Sequence, residues 1–380
     1  MIKAPYNFVP LAKDVFFPEW AESISQDIPF ADGLSGTIEV TIQAETPVFV
    51  RNGHALDTTD NRFSHVVCNG KRQYFIPGTT VKGCIRNIME IMSFGKMHPV
   101  TDTHTEKNYR HSPKQLEEER WTLSAEKQKK TGVPYDLAER IFGTTAGENS
   151  LRGRVQFTSF MCTKEVAMPE RAKTFSLVLN TPDPSVLPIY VCQDGSEYID
   201  YDDNFYPDDI LKGWKRYVLR TGYWTNKVGK DNVVSTFMPL NKGSLFKGKI
   251  HYHNLREQEL GALMCALMWH GEAGCFHQIG QAKPFGFGRI SVSVDQATER
   301  KSKDTIAAFE NMMRQWLNSM TGKPGWRHHW IMKELFALAS TVIQWDDNRF
   351  KYISGQEFKK AKKNKEYLHD FTDIIKDEEV

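Results

Sequence analysis

Twice along this chain an alternating segment leads into a helical stripe, which leads into a second alternating segment. In the first unit Ile38, Val40, Ile42 and Ala44 alternate with Thr37, Glu39, Thr41 and Gln43, the pattern of a half-buried strand and the first strand of a sheet. After a brief strand at Val48 to Val50 and a polar stretch, Gln73 to Ile76 runs through Pro77-Gly78 into a helix. Thr79 or Thr80 is its expected cap, and Val81, Ile85, Ile88, Met89 and Met92 fall on one stripe. A short helical segment, Tyr135 to Phe142, precedes a second alternating run, Arg154 to Ser159. The later unit repeats the order. In Leu245 to Tyr252, Phe246, Gly248, Ile250 and Tyr252 oppose a cationic row of Lys247, Lys249, His251 and His253. A helix striped by Leu260, Leu263, Met264, Leu267 and Met268 follows, then a glycine-rich loop, Gly280 to Gly288, then Ile290, Val292 and Val294 in alternation. That order predicts an α+β, ferredoxin-like domain with an antiparallel sheet and helices on one face.

The chain of 380 residues is long enough for one elaborated domain or two ordinary ones. The expected division is a core domain over 1–300, with insertions at about 95–135 and 164–240, and a helical extension over 301–380. Thr305 to Met320 and Trp326 to Leu338 read as amphipathic helices of that extension, and a basic cluster occupies 359–365. No stretch approaches the roughly 20 apolar residues of a membrane span, and the amino terminus lacks an apolar signal core, so a cytoplasmic protein without a membrane partner is expected. Six dispersed cysteines without a CxxC pair fit free thiols. The net charge of +2 leaves a nucleic-acid partner open, because phosphate affinity follows local clustering of cations.

Two segments carry chemistry. At Phe75 to Arg86 a tight turn starts a helix whose free N–H groups lie beside Lys82 and Arg86, an arrangement suited to phosphate. In Gly280 to Gly288 the glycines permit close backbone approach, Lys283 adds charge, and Phe285 and Phe287 either stack on bases or anchor the loop in the core. Neither segment is a Walker loop or a dinucleotide fingerprint, which argues against a nucleotide cofactor.

Taken in order, Ile76 to Arg86, Ala138 to Gly143, Leu245 to Leu263 and Ile279 to Gly288 resemble the motifs of the RAMP superfamily of CRISPR-associated proteins. Arg86-Asn-Ile-Met-Glu-Ile91 resembles the branch of backbone subunits found in type III-like effectors. The resemblance implies a ferredoxin-like, RRM-related palm with an inserted thumb hairpin. It further implies that copies of the chain polymerise along a CRISPR guide RNA (crRNA), which pairs with target RNA, alongside other effector subunits and possibly a separate nuclease. Carried over residue by residue, Lys82, Arg86, Thr79 and Thr80 would hold guide phosphates, and Lys283, Phe285, Gly286 and Gly288 would cradle the same strand. The thumb is expected within 164–240, where Lys212, Trp214, Lys215, Arg216 and Tyr217 mix cations with rings. Arg51 and Asn52, at the start of the loop before the motif helix, complete the expected RNA contacts.

That loop also contains Asp57 and Asp60, and many relatives use an aspartate there for metal-dependent cleavage of target RNA. Here the usual glycine framing is not reproduced, so a non-catalytic scaffold and a Mg²⁺-dependent endoribonuclease both stay open, with Mg²⁺ needed only in the second case. His54 is the nearest residue to the histidine base of guide-processing relatives, without a paired acid. His98, His104 and His111 lack the cysteine pair of a zinc site, so zinc is not expected, and the acidic run 200–209 lacks the pattern of a calcium loop.

Overall fold

The computed structural model describes residues 1–12, 14–21, 28–53, 61–97, 100–101, 108–109, 135–144, 150–170, 173–179, 186–193, 212–226, 234–321, 325–343, 345 and 348–370. His54, Asp57, Asp60, His98, His104, His111 and the acidic run 200–209 lie outside the described residues.

Among the described residues, eight strands form one antiparallel sheet. Its centre is β2 (Leu34–Ala44), paired on one side with β14 (Leu245–Leu255) and on the other with β16 (Arg289–Val294). Beyond β14 come β9 (Val155–Phe157) and β10 (Phe160–Lys164), then β4 (Lys71–Ile76) and the edge strand β3 (His65–Cys68), while β15 (His277–Gln278) closes the opposite edge. The two strand–helix–strand units interleave as the ferredoxin-like class requires, with the first strand of the early unit between both strands of the late one. Helix α1 (Gly78–Met92) connects β4 to the later strands through α2 (Leu137–Phe142), and α4 (Glu257–Met268) connects β14 to β15 and β16; between α2 and α4 lies the one-turn α3 (Leu187–Tyr190). The stripe Val81, Ile85, Ile88, Met89 and Met92 is buried as its spacing requires.

The single alternating run expected at Arg154 to Ser159 is two strands joined by a bulge. Phe157 opposes Ile250 whereas Met161 opposes Lys247, so β9 and β10 carry one residue more than β14 does. At the bulge the Thr158 hydroxyl accepts from the Lys249 N–H at 2.9 Å, replacing a ladder bond. The start of α1 sits on this bulge: a Cβ at position 78 would lie 2.3 Å from the Phe157 carbonyl oxygen, so only glycine fits. The expectation that Thr79 or Thr80 caps α1 is corrected. Pro77 occupies the cap position without a side-chain bond, both threonines lie inside the first turn, and the Thr80 N–H is satisfied by the Pro77 carbonyl at 3.0 Å.

Residues 164–240, expected to be an insertion, contain β11 (Phe175–Val178), α3, β12 (Trp214–Tyr217) and β13 (Val234–Phe237). β11 pairs with β13 and sends Phe175 and Phe237 onto Phe287 of the glycine loop. β12 pairs antiparallel with β1 (Tyr6–Val9), a strand ahead of the one taken from the sequence as first. The run Trp214 to Tyr217 is therefore a paired strand against the body of the protein, not the tip of a projecting hairpin. In the 95–135 region a two-residue ladder joins β5 (Val100–Thr101) to β6 (Asn108–Tyr109). After α2, a second two-residue ladder joins β7 (Gly143–Thr144) to β8 (Leu151–Arg152).

The carboxyl-terminal extension is built from α5 (Gln296–Thr321), α6 (Trp330–Ala339) and α7 (Gly355–Lys363). Helix α5 packs on α4 at Gly261, where a Cβ would lie 1.9 Å from the Thr305 carbonyl oxygen. Glu259, two residues earlier in α4, is fully buried between Arg140 and Arg154, and its second oxygen accepts from the Arg256 N–H to cap the helix. Burial pushes this carboxyl up, but the Arg154 hydrogen bonds and the two guanidinium charges outweigh it and hold the group below its ordinary range. Among the described residues no helix is long and apolar enough to cross a membrane.

Candidate nucleic-acid interface

The motif helix α1 presents two polar flanks on either side of its exposed ridge at Thr79 and Gly83. On one flank Lys82 donates to the Val155 carbonyl at 3.3 Å, and burial followed by the Arg86 charge lowers its pKa. Arg86 donates to the Gly143 carbonyl at 2.9 Å and to Glu90 at 2.7 Å. Gly143 ends the segment Ala138 to Gly143, so Arg86 ties together two motifs that lie far apart in sequence. Burial raises the Glu90 carboxyl to about 7, with Arg86 opposing. Both cations thus keep partly exposed positions while also bracing α1 against α2 and β9.

On the other flank, residues from three separate parts of the chain meet. Arg216 of β12 donates to the Asn87 side chain at 3.0 Å and lies 6.0 Å from the Trp269 ring. Lys283, at the start of a tight turn in the glycine loop, approaches the same side of α1 near Cys84. Burial lowers the pKa of both cations, Cys84 offsets this, and Arg216 lowers Lys283 further. Burial raises the Cys84 thiol, with Arg216 and Lys283 opposing, so it stays neutral beside them. His277 lies underneath. Its Nε2 faces the Leu267 carbonyl at 2.9 Å and so carries the proton, which leaves Nδ1 facing the Cys84 thiol at 3.9 Å. Among the described residues no carboxylate pairs with Arg216 or Lys283. Two partly buried cations set together, with no acid beside them among the described residues, create a positive potential suited to a phosphate oxygen.

The glycine loop that carries Lys283 is anchored by backbone hydrogen bonds. The Gln281 N–H donates to the Phe49 carbonyl at 3.0 Å and the Gly288 N–H to the Pro47 carbonyl at 2.8 Å. Gly286 and Gly288 both take left-handed φ values, and a Cβ on either would strike a backbone oxygen. These glycines therefore shape the loop from inside. The alternative in which Phe285 stacks on bases is corrected: the ring is 1% exposed, packed on Trp224 and Tyr352, and Phe287 is equally buried, because the loop needs apolar anchors to stay folded against the core.

One thumb residue is corrected in the same way: Lys212 is buried and its ammonium meets Asp370 of the carboxyl-terminal segment at 2.5 Å. Trp214 is partly buried against the core. Lys215 points to the opposite side of β12 from Arg216, over the Tyr6 ring at 3.7 Å. Arg51 makes a backbone bridge with Phe63, and Asn52 follows it directly in the chain. Among the described residues no group of three His, Cys, Asp or Glu side chains is placed to hold a metal ion.

Residues 41–291 match the family model of the RAMP superfamily, and the chain belongs to that superfamily. A search of curated proteins returns no match. Among solved structures, a chain of one described as "Type IV-B CRISPR Complex" is similar at 13% identity, covering 69% of this chain and 91% of that one, with a TM-score of 0.31.

Proposed function

We propose that this protein is an RNA-binding backbone subunit of a CRISPR effector ribonucleoprotein, which assembles in several copies along crRNA and positions it for pairing with target RNA. The observation that carries the proposal is the meeting of Arg216 and Lys283 beside α1 with no carboxylate among the described residues. Membership of the RAMP superfamily supports the RNA partner and the CRISPR setting. The exposed ridge of α1, with Lys82 and Arg86 on its far flank, extends the cationic surface along the path of one strand. Such contacts hold a backbone without reading sequence, so base pairing supplies specificity. Head-to-tail stacking of identical chains gives an open helical filament whose length follows the guide.

The double variant Arg216→Ala with Lys283→Ala tests this. Binding of guide RNA should weaken uniformly across spacer sequences, and the slope of log K against log salt should become shallower by about 1–2. Unchanged affinity and slope in a folded double variant would contradict the assignment.

A further inference from the structure

At one end of the eight-stranded sheet, β3 pairs with β4 and, among the described residues, with no other strand. Asn69 and Gly70 join the two strands, both in the left-handed region, which makes the tight two-residue turn that suits the twist of a hairpin. The outer part of this hairpin is exposed along both strands, Val66 to Cys68 and Lys71 to Gln73. Val66 is 41% and Val67 65% exposed, and as neighbours in a strand they point to opposite faces. Register places Lys71 on the Val66 face and Arg72 on the Val67 face, and residues 65–73 contain no carboxylate. A hairpin surrounded by solvent gains nothing from a valine on each face, whereas one inserted between two walls uses both.

At the other end of the sheet, β15 pairs only with Arg289 and Ile290 of β16. Among the described residues the outer edge of Ser291 to Val294 therefore has no partner strand. Beside that edge lies a cavity of about 470 Å³ between β16 and α5. Met268, Val292, Val294 and Ile306 are partly buried apolar side chains of its wall. The charged groups that α5 contributes to it are Glu299, Lys303 and Glu310, with His270 against Glu310, so carboxylates outnumber ammonium groups. An open strand edge next to an apolar wall is suited to accept a further strand, because main-chain groups pair along the edge while side chains fill the wall.

We infer that the β3–β4 hairpin of one copy docks in the groove between β16 and α5 of the next copy, its free edge continuing the sheet at Ser291 to Val294. The two halves match in chemistry: an open edge meets an open edge, exposed valine meets an apolar wall, and two cations without an acid meet a groove with excess carboxylate. Both halves belong to this chain and lie at opposite ends of one sheet, which selects a second copy as the occupant. Such a contact is heterologous, leaves one half unused on each terminal copy and so repeats. The inference rests on the reading that copies of the chain stack, and it gives that stacking a protein contact separate from the RNA contacts of Arg216 and Lys283.

Cys68 is an exposed thiol on the hairpin, and Ser293 lies on the open edge. The test treats the full chain carrying Ser293→Cys with a short bismaleimide, with and without guide RNA, and resolves the products under denaturing conditions. A ladder of dimers, trimers and longer species should appear beyond anything the parent chain gives, and Cys68→Ser in the same background should remove it. Lys71→Glu with Arg72→Glu should reduce the ladder about tenfold or more, and adding Glu299→Lys should restore part of it, a rescue that a misfolded variant does not give. No ladder in either condition, a ladder that survives Cys68→Ser, or dimers alone would overturn the contact. Guide RNA binding on the same preparations separates the two claims. Guide bound without a ladder overturns the interface and leaves the RNA-binding reading standing, whereas a ladder without bound guide does the reverse.

Discussion

Single residues at this interface do two jobs at once, and His277 shows the consequence most directly. The imidazole is buried under Cys84 and Arg216, and burial first, then the Arg216 charge, brings its pKa down to about 4 in spite of the Leu267 carbonyl contact. A depressed histidine pKa means that the folded protein favours the neutral ring. Its contribution to stability is complete above the ordinary value of 6.5 and is lost as pH falls from there through about 4. The shift corresponds to about 3 kcal/mol of pH-dependent stability. Urea unfolding followed between pH 7 and pH 4 should show that decline, and His277→Gln, which can still donate to the Leu267 carbonyl, should flatten it. An identical slope in the variant would remove His277 as its source. Lys283 was legible as a candidate because glycines framed it. The position of Arg216 was not, because the alternation of β12 says only that Lys215 and Arg216 face opposite ways, and nothing local says which of them meets α1.

At the scale of elements, period and spacing exposed the sheet strands and their helices well, since the core imposes a strict pattern on both. Ile38, Val40, Ile42 and Ala44 all turn inward in β2, and Phe246 and Ile250 do so in β14. The pairing of β1 with β12 was hidden, because strands of four residues separated by about two hundred positions carry no local mark of one another. The same applies to the bulge between β9 and β10, which follows from register. Position 261 shows how a helix motif serves packing: the missing side chain lets the backbone of α5 approach α4 directly. Gly261→Ala should therefore force the helices apart and cost about 1–3 kcal/mol or more in thermal or denaturant unfolding. Stability equal to the parent would show that α5 can shift without loss. The carboxyl-terminal extension thus has a defined place as a layer over α4, together with the Lys212 and Asp370 contact that returns the chain end to β12.

For the whole molecule, 49 basic and 47 acidic residues nearly balance, so the partners of individual cations matter more than the total. One cationic row expected on β14 is largely answered from the neighbouring strand: Lys249 pairs with Glu39 at 2.7 Å, and His251 meets the Thr37 hydroxyl at 2.8 Å. The open face of the β2–β14 pair is therefore a mixed polar surface. Among the described residues Arg216, beside α1, and Lys283, in the glycine loop, have no carboxylate partner, and this is where the proposal places the guide. The most direct measurement is sequencing of the RNA retained by the protein when it is produced together with a CRISPR array and purified under native conditions. The account predicts repeat-derived guides, protected over lengths that increase with the number of copies bound. Recovery of unrelated cellular RNA in proportion to its abundance, or of no RNA at all, would contradict it.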